Sequence, residues 1–267
     1  IAIGYFAGDA MTIGVRNTAV GWTALSAITT GGDSTAVGYN ALALDTSGRN
    51  TAVGSGALDA NTTGADNIAI GNNALGAAST SSFNIAIGNL AGVGITTAGH
   101  RNLLIGQAAG TSITSGDDNI CLGDSSGQGF TTQGQNIAIG VTALGSPSYA
   151  AAANIAIGYQ SMDAATSGVR NTAVGWTSLS AIVTANDSTA VGYNALALDT
   201  GGSNTAVGSG AGDAITSATN NVAVGLDALG SASTSADNVA IGKGAGFTIS
   251  TGSGENIAIG RDSLNLL

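Results

Sequence analysis

The chain of 267 residues holds one proline, one cysteine and one histidine, and only 8% of its residues are charged. A lone cysteine, Cys121, excludes an intrachain disulfide and leaves the redox compartment open. A lone histidine means that no Ser-His-Asp arrangement can recur along the chain. His100 stands between Gly99 and Arg101, where it reads as an exposed turn residue and not a catalytic base. The six basic residues are scattered in sequence and outweighed by sixteen acidic ones, giving a net charge of −10. Nucleic acid, which requires a basic stripe, is therefore excluded as a partner. Aromatics at 4% cannot build a globular core of large rings. No uninterrupted apolar run approaches the roughly 18 residues of a membrane span, which argues against membrane insertion in this segment. The start at Ile1, without Met or a signal-like pattern, suggests a segment of a longer chain.

What the chain has is glycine, 43 residues of it, and a period. The pattern of Asn67-Ile68-Ala69-Ile70-Gly71 recurs sixteen times, its closing glycine falling at Gly4, Gly21, Gly38, Gly54 and so on to Gly260, always 16, 17 or 18 residues apart. A period this regular predicts an all-β fold, a parallel β-solenoid of about sixteen rungs forming a single repeat domain over 1–267. At about 4.8 Å per rung, sixteen rungs make a rod of about 75 Å.

Within each rung the residues alternate as a short strand requires. Ile68 and Ile70 share one parity, and the equivalent positions are β-branched or Leu in every rung; this parity reads as the core face. The other carries Ala in fourteen of sixteen rungs, Leu104 and Cys121 being the exceptions. Water would tolerate Thr, Lys or Gln there. Near-uniform Ala therefore predicts a second copy of the chain packed against that face, with Ala19, Ala52, Ala69, Leu104, Cys121 and Ala138 as subunit-interface candidates. Cys121 itself reads as a small buried hydrophobe.

A second short strand is expected after each closing glycine. Its fourth position is Leu or Met in ten rungs and Gly in six, and where it is Gly the residue three further on is large and apolar: Met11, Ile95, Ile113, Phe130, Ile215 or Ile249. Both positions should fill one interior slot, because a packed core resists both voids and overfilling. Where Leu is present the later position often relaxes, as at Asp45, Asn61 and Asp199. The residue opening each strand is Asn in thirteen of fifteen rungs, Ser34 and Ser188 excepted. Stacked Asn side chains can bond their equivalents above and below, or the residue can simply suit a turn. Arg16 to Gly56 nearly repeats as Arg170 to Gly210, so a nine-rung block is duplicated and 1–113 resembles 155–267.

The unit Asn-Thr-Ala-Val-Gly-x-x-Ala-Leu with its Thr-Thr-Gly turn, seen over residues 50–66, resembles the repeats of phage tail fibres. It is also similar to the Asn-Ser-Val-Ala-Ile-Gly repeat in the heads of trimeric autotransporter adhesins, although the rung here is longer. The resemblance implies a left-handed β-roll assembled as a homotrimer, in an extracellular fibre on a virion or cell surface that attaches to a host glycan or protein.

The candidate chemistry is sparse. Asp117 and Asp118 point toward calcium only weakly, since the nonapeptide signature of calcium-binding β-rolls is missing. The glycines lack a Gly-Lys-Ser/Thr ending, which excludes a phosphate loop. No catalytic residue, metal or cofactor is expected, and the chain reads as a non-enzyme. Tyr5, Trp22 and Tyr39 follow the closing glycine in three successive rungs, and Tyr159, Trp176 and Tyr193 repeat the trio. Stacked aromatics with polar tips suit sugar or protein contacts, or a seam between subunits. The rival readings are a polymeric extracellular filament or sheath, an ice-binding solenoid, and a polysaccharide-cleaving tailspike. The ice reading is weakened by the core parity expected for Thr18, Thr35 and Thr51, and the tailspike by the lack of clustered carboxylates.

Overall fold

The computed structural model describes residues 1–147, 149–249 and 254–265, and among these the chain is all-β, without helices. It forms a parallel β-solenoid with one short strand per rung, sixteen in all, from Ala2–Ile3 to Ile257–Ile259. No described helix is long and apolar enough to cross a membrane. Two compact units are present, Ile1–Gln135 and Asn136–Leu267, with eight strands each.

In the first unit each strand pairs in parallel with the next at full register, Ala19 opposite Ala36, Ala36 opposite Ala52, and Leu104 opposite Cys121. The second unit repeats this, with Ala138 opposite Ala156 and Ala173 opposite Ala190. Identical residues thus stand in columns, each about 4.8 Å from its neighbour.

The faces are the reverse of the sequence expectation. In all fifteen three-residue strands the middle residue is buried and the flanking pair is partly exposed. Ala19, Ala52, Ala69 and Ala138 are completely buried inside their own coil, as are Leu104 and Cys121, so none of these six is available to a second chain. Ile68 and Ile70, at 37% and 38% exposure, point outward. The reason is the narrow bore of the coil. A β-carbon built at Gly8 would lie 3.9 Å from Ala19 Cβ, so the residue in the Leu/Gly slot meets the strand methyl directly across the interior. A branched side chain on both walls would overfill that space.

The second strand expected in each rung is also absent. The wall after the closing glycine is a row of turns whose alternate residues are left-handed, as at Thr23 (φ 53°) and Leu25 (φ 52°). Alternating hand aims successive N–H groups up and down the stack: Thr23 N–H donates to Tyr5 O at 2.9 Å and Leu25 N–H to Ala41 O at 3.0 Å. These contacts between rungs offset the local cost of a left-handed branched residue, about 1–2 kcal/mol. The closing Gly21 has φ 135°, and a β-carbon there would run into the carbonyl oxygen of Gly38. The same clash explains the closing glycines from Gly4 to Gly106 and from Gly140 to Gly242; at the last, Gly260, an added β-carbon meets no atom within 4 Å.

In the rungs that carry Gly, the large residue three further on reaches the space of the slot, whereas Leu25 with Ile28 and Leu179 with Ile182 are buried side by side. At Gly110 an added β-carbon would lie 2.8 Å from Ile113 Cδ1, and at Gly212 it would lie 3.0 Å from Ile215 Cδ1. Gly92, Gly110 and Gly127 are in successive rungs, and Leu104 and Cys121 widen the opposite wall at that level. Both departures from Ala therefore fill space that missing leucines leave.

The strand-opening asparagines form a buried ladder, which decides between their two readings. Asn84 Oδ1 accepts from the Asn102 backbone N–H at 3.0 Å and from Asn102 Nδ2 at 3.1 Å, while Asn84 Nδ2 donates to Gly99 O at 2.9 Å. Asn102 and Asn119 repeat the pattern, as do Asn204, Asn221 and Asn238 in the second unit. Where Ser188 interrupts it, the buried carboxylate of Asp199 accepts from Ser188 Oγ at 3.0 Å and Asn204 Nδ2 at 3.1 Å. At the equivalent Ser34, buried Asp45 accepts from Asn61 Nδ2 at 3.0 Å. Tyr149, not singled out in the sequence, is buried and donates to Asn136 Oδ1 at 3.0 Å, taking a place in the same network.

Candidate binding and assembly surface

Because the alanines face inward, the outer side of each strand presents the first and third residues, and in all fifteen three-residue strands these are Ile, Val, Leu or Thr. No charged side chain interrupts the two columns. Within the first unit they run past eight rungs, a strip of about 34 Å at the spacing of a β-ladder. Thr18, Thr35 and Thr51 are on this outer side, as are Thr172, Thr189 and Thr205. This corrects the expectation that the threonines share the core parity.

One edge of the strip carries charge. Arg16, Asp33, Arg49 and Asp66 occupy equivalent left-handed positions one rung apart, φ 59–64°, just before the strand-opening residue. Arg16 pairs with Asp33, and Arg49 grips Asp66 through two bonds of 2.9 Å. Arg101 pairs with Asp118 at 2.7 Å and Arg170 with Asp187 at 2.7 Å. Basic residues that look scattered in sequence are thus stacked on carboxylates one coil away. Their hydrogen bonds hold Asp33, Asp66, Asp118 and Asp187 below the usual carboxylate range. All of these pairs are exposed, so their contribution is small and screened by salt.

The opposite edge carries the aromatics. Tyr5, Trp22 and Tyr39 are exposed in successive rungs of the first unit, and Tyr159, Trp176 and Tyr193 in the second. Tyr5 and Trp22 have ring centroids 4.8 Å apart at a tilt of 48°, and Tyr159 and Trp176 repeat this at 4.8 Å and 46°. Next to the rings, Thr23 Oγ1 donates to Trp22 O at 2.7 Å and also reaches Asn40 Oδ1; Thr177 makes the same two contacts with Trp176 and Asn194. All six sequence candidates are therefore brought to exposed columns, three within each unit.

His100 is not the free turn residue expected. It is half-buried, its Nδ1 accepts the Ser82 N–H at 3.0 Å, and its own N–H donates to Asp117 Oδ1 at 2.7 Å, so it ties three rungs together. Burial pushes the Cys121 thiol far up from its ordinary value, which makes it a packing group and not a nucleophile. Among the described residues no three His, Cys, Asp or Glu side chains come together in a metal-binding group. Compared with protein-family models, with curated proteins and with solved structures, the chain matches none.

Proposed function

We propose that this chain is a non-catalytic structural and attachment protein, a segment of an extracellular fibre in which several copies meet along their outer strand faces. One observation carries the reading: two uninterrupted, uncharged columns of half-exposed branched side chains past every rung of each unit. Soluble monomers rarely leave contiguous apolar strips of this extent open to water, and larger ones mark association sites. The alanines first expected at the seam are internal; the Ile and Val columns take over that role. The likeness of the rung to tail-fibre and adhesin-head repeats supports three copies and a virion or cell surface.

The mass of the purified chain in solution, measured by light scattering, tests the reading. Three chains per particle are expected. Ile70→Lys with Ile87→Lys should release single chains that keep their β circular dichroism. A monomeric unaltered chain would sink the proposal, and open-ended growth of the particles would favour a filament or sheath instead. The outward Thr18, Thr35 and Thr51 column favours a second reading, an ice-binding face, which predicts thermal hysteresis from the unaltered chain.

A further inference from the structure

The aromatic columns differ from the assembly strip in distribution. Outward Ile, Val, Leu or Thr occurs in every rung, whereas exposed Tyr or Trp follows the closing glycine in only three rungs of each unit. A seam running past all the rungs does not account for a feature confined to three. The same local group is built twice: Trp22, Thr23, Tyr39 and Asn40 in the first unit, and Trp176, Thr177, Tyr193 and Asn194 in the second. In each, the threonine hydroxyl meets the side-chain amide of the asparagine one rung on. The rings of Tyr39 and Tyr193 are exposed beside these amides.

We propose that each group is a binding site for a neutral oligosaccharide lying along the stacking direction. The inference rests on the attachment reading above and names its ligand class. Half-exposed rings offer apolar faces to the C–H faces of sugars, and the amide N–H and phenol groups beside them suit hydroxyls. The rung spacing, about 4.8 Å, is close to the advance of one pyranose in an extended chain, so successive rings meet successive sugars. Neutrality follows from charge: the named residues carry none, and Arg16 and Arg170, on the opposite edge of the strip, are matched by Asp33 and Asp187. Within the two groups there is no cation to offer an acidic sugar.

The chain has two tryptophans, one in each group, so its tryptophan emission, excited selectively over tyrosine, reports on these sites alone. The intact chain is titrated with cellohexaose and with chitohexaose while Trp emission is followed, and is also applied to a printed array of neutral and sialylated oligosaccharides. A saturable emission change and retention on neutral glycans are expected. Retention should fall at least tenfold in Trp22→Ala with Trp176→Ala, and measurably in Asn40→Ala with Asn194→Ala, which leaves the rings in place. Retention of no neutral glycan, retention undiminished in both variants, or binding of sialylated glycans alone would overturn the proposal. So would loss of assembly in the Trp variants, which would assign the rings to a seam. A monomeric unaltered chain that still binds the neutral glycans would sink the assembly reading and leave this one standing.

Discussion

Leu104 occupies the space that Gly110 leaves empty: a methyl carbon added at Gly110 would lie 2.8 Å from Leu104 Cδ2 and 2.8 Å from Ile113 Cδ1. Two walls of the coil thus share one fixed volume. Leu104→Ala should cost about 2–5 kcal/mol through the cavity it opens. Gly110→Ala should cost about 2–4 kcal/mol, from the left-handed backbone at φ 61° and the collision together. Thermal unfolding of Leu104→Ala combined with Gly110→Leu, which reproduces the combination of Ala19, Leu25 and Ile28 in another rung, should recover part of the loss. Strict additivity of the two changes would show that the volume is not shared.

The orientation of the strand has its own test. Ala69→Leu forces three extra carbons into a filled interior and should lower stability by about 1–3 kcal/mol or prevent folding. Ile70→Thr, on the next residue, should leave the melting temperature of a single chain nearly unchanged. Urea unfolding of the two variants in a background that does not assemble distinguishes them, and the opposite ranking would return the branched residues to the core.

Removing one member of the asparagine ladder should be severe. Asn84→Ala leaves the Asn102 N–H and Gly99 O without their partner, at about 1–3 kcal/mol for each buried group left unsatisfied, while Asn102 Nδ2 keeps His100 O and Gly116 O. Asn84→Ser should recover only a fraction. Where serine occurs naturally, at Ser34 and Ser188, a buried aspartate accompanies it; the corresponding position in the Asn84 rung is Ile95. Denaturant midpoints for the two variants check the order.

Asp199 makes stability depend on pH. Burial raises its pKa above the ordinary carboxylate value, against the opposing effect of its hydrogen bonds from Gly202, Asn204, Ser188 and Gly201. A raised folded pKa means that the folded state holds the proton more tightly than the unfolded one. This contribution is therefore fully present below the unfolded carboxylate pKa, about 3.9, and declines as pH rises through the folded value. Asp199→Asn keeps an oxygen for the Gly201 and Gly202 N–H groups and should remove that decline. Melting curves between pH 4 and 8 that are parallel for the two proteins would refute it.

Cys121 should be silent in the folded chain. Its sulfur fills the space beside Gly127 and Phe130, so a thiol reagent such as DTNB should label none of it in buffer and one equivalent in strong denaturant. Rapid labelling of the native chain would place it on an accessible surface.

Much of this was legible from the residues. The glycine period alone predicts a stack of coils, and the trade between Leu and Gly with a large residue three positions on predicts a shared slot, since a constant volume constrains two positions jointly. The asparagine column was visible as a pattern, but turn and ladder are indistinguishable until register sets one rung on the next. The arginines of the charged column lie tens of residues apart and show no cluster until the coils align them.

Sequence by itself determined that there are two strand faces, one of methyls and one of branched chains, because side chains alternate with a period of two. Both faces are apolar, so hydrophobicity does not say which one points inward. Only the closure of the coil decided it: the slot residue crosses the interior to meet the strand, leaving room for a methyl and pushing Ile and Val outside.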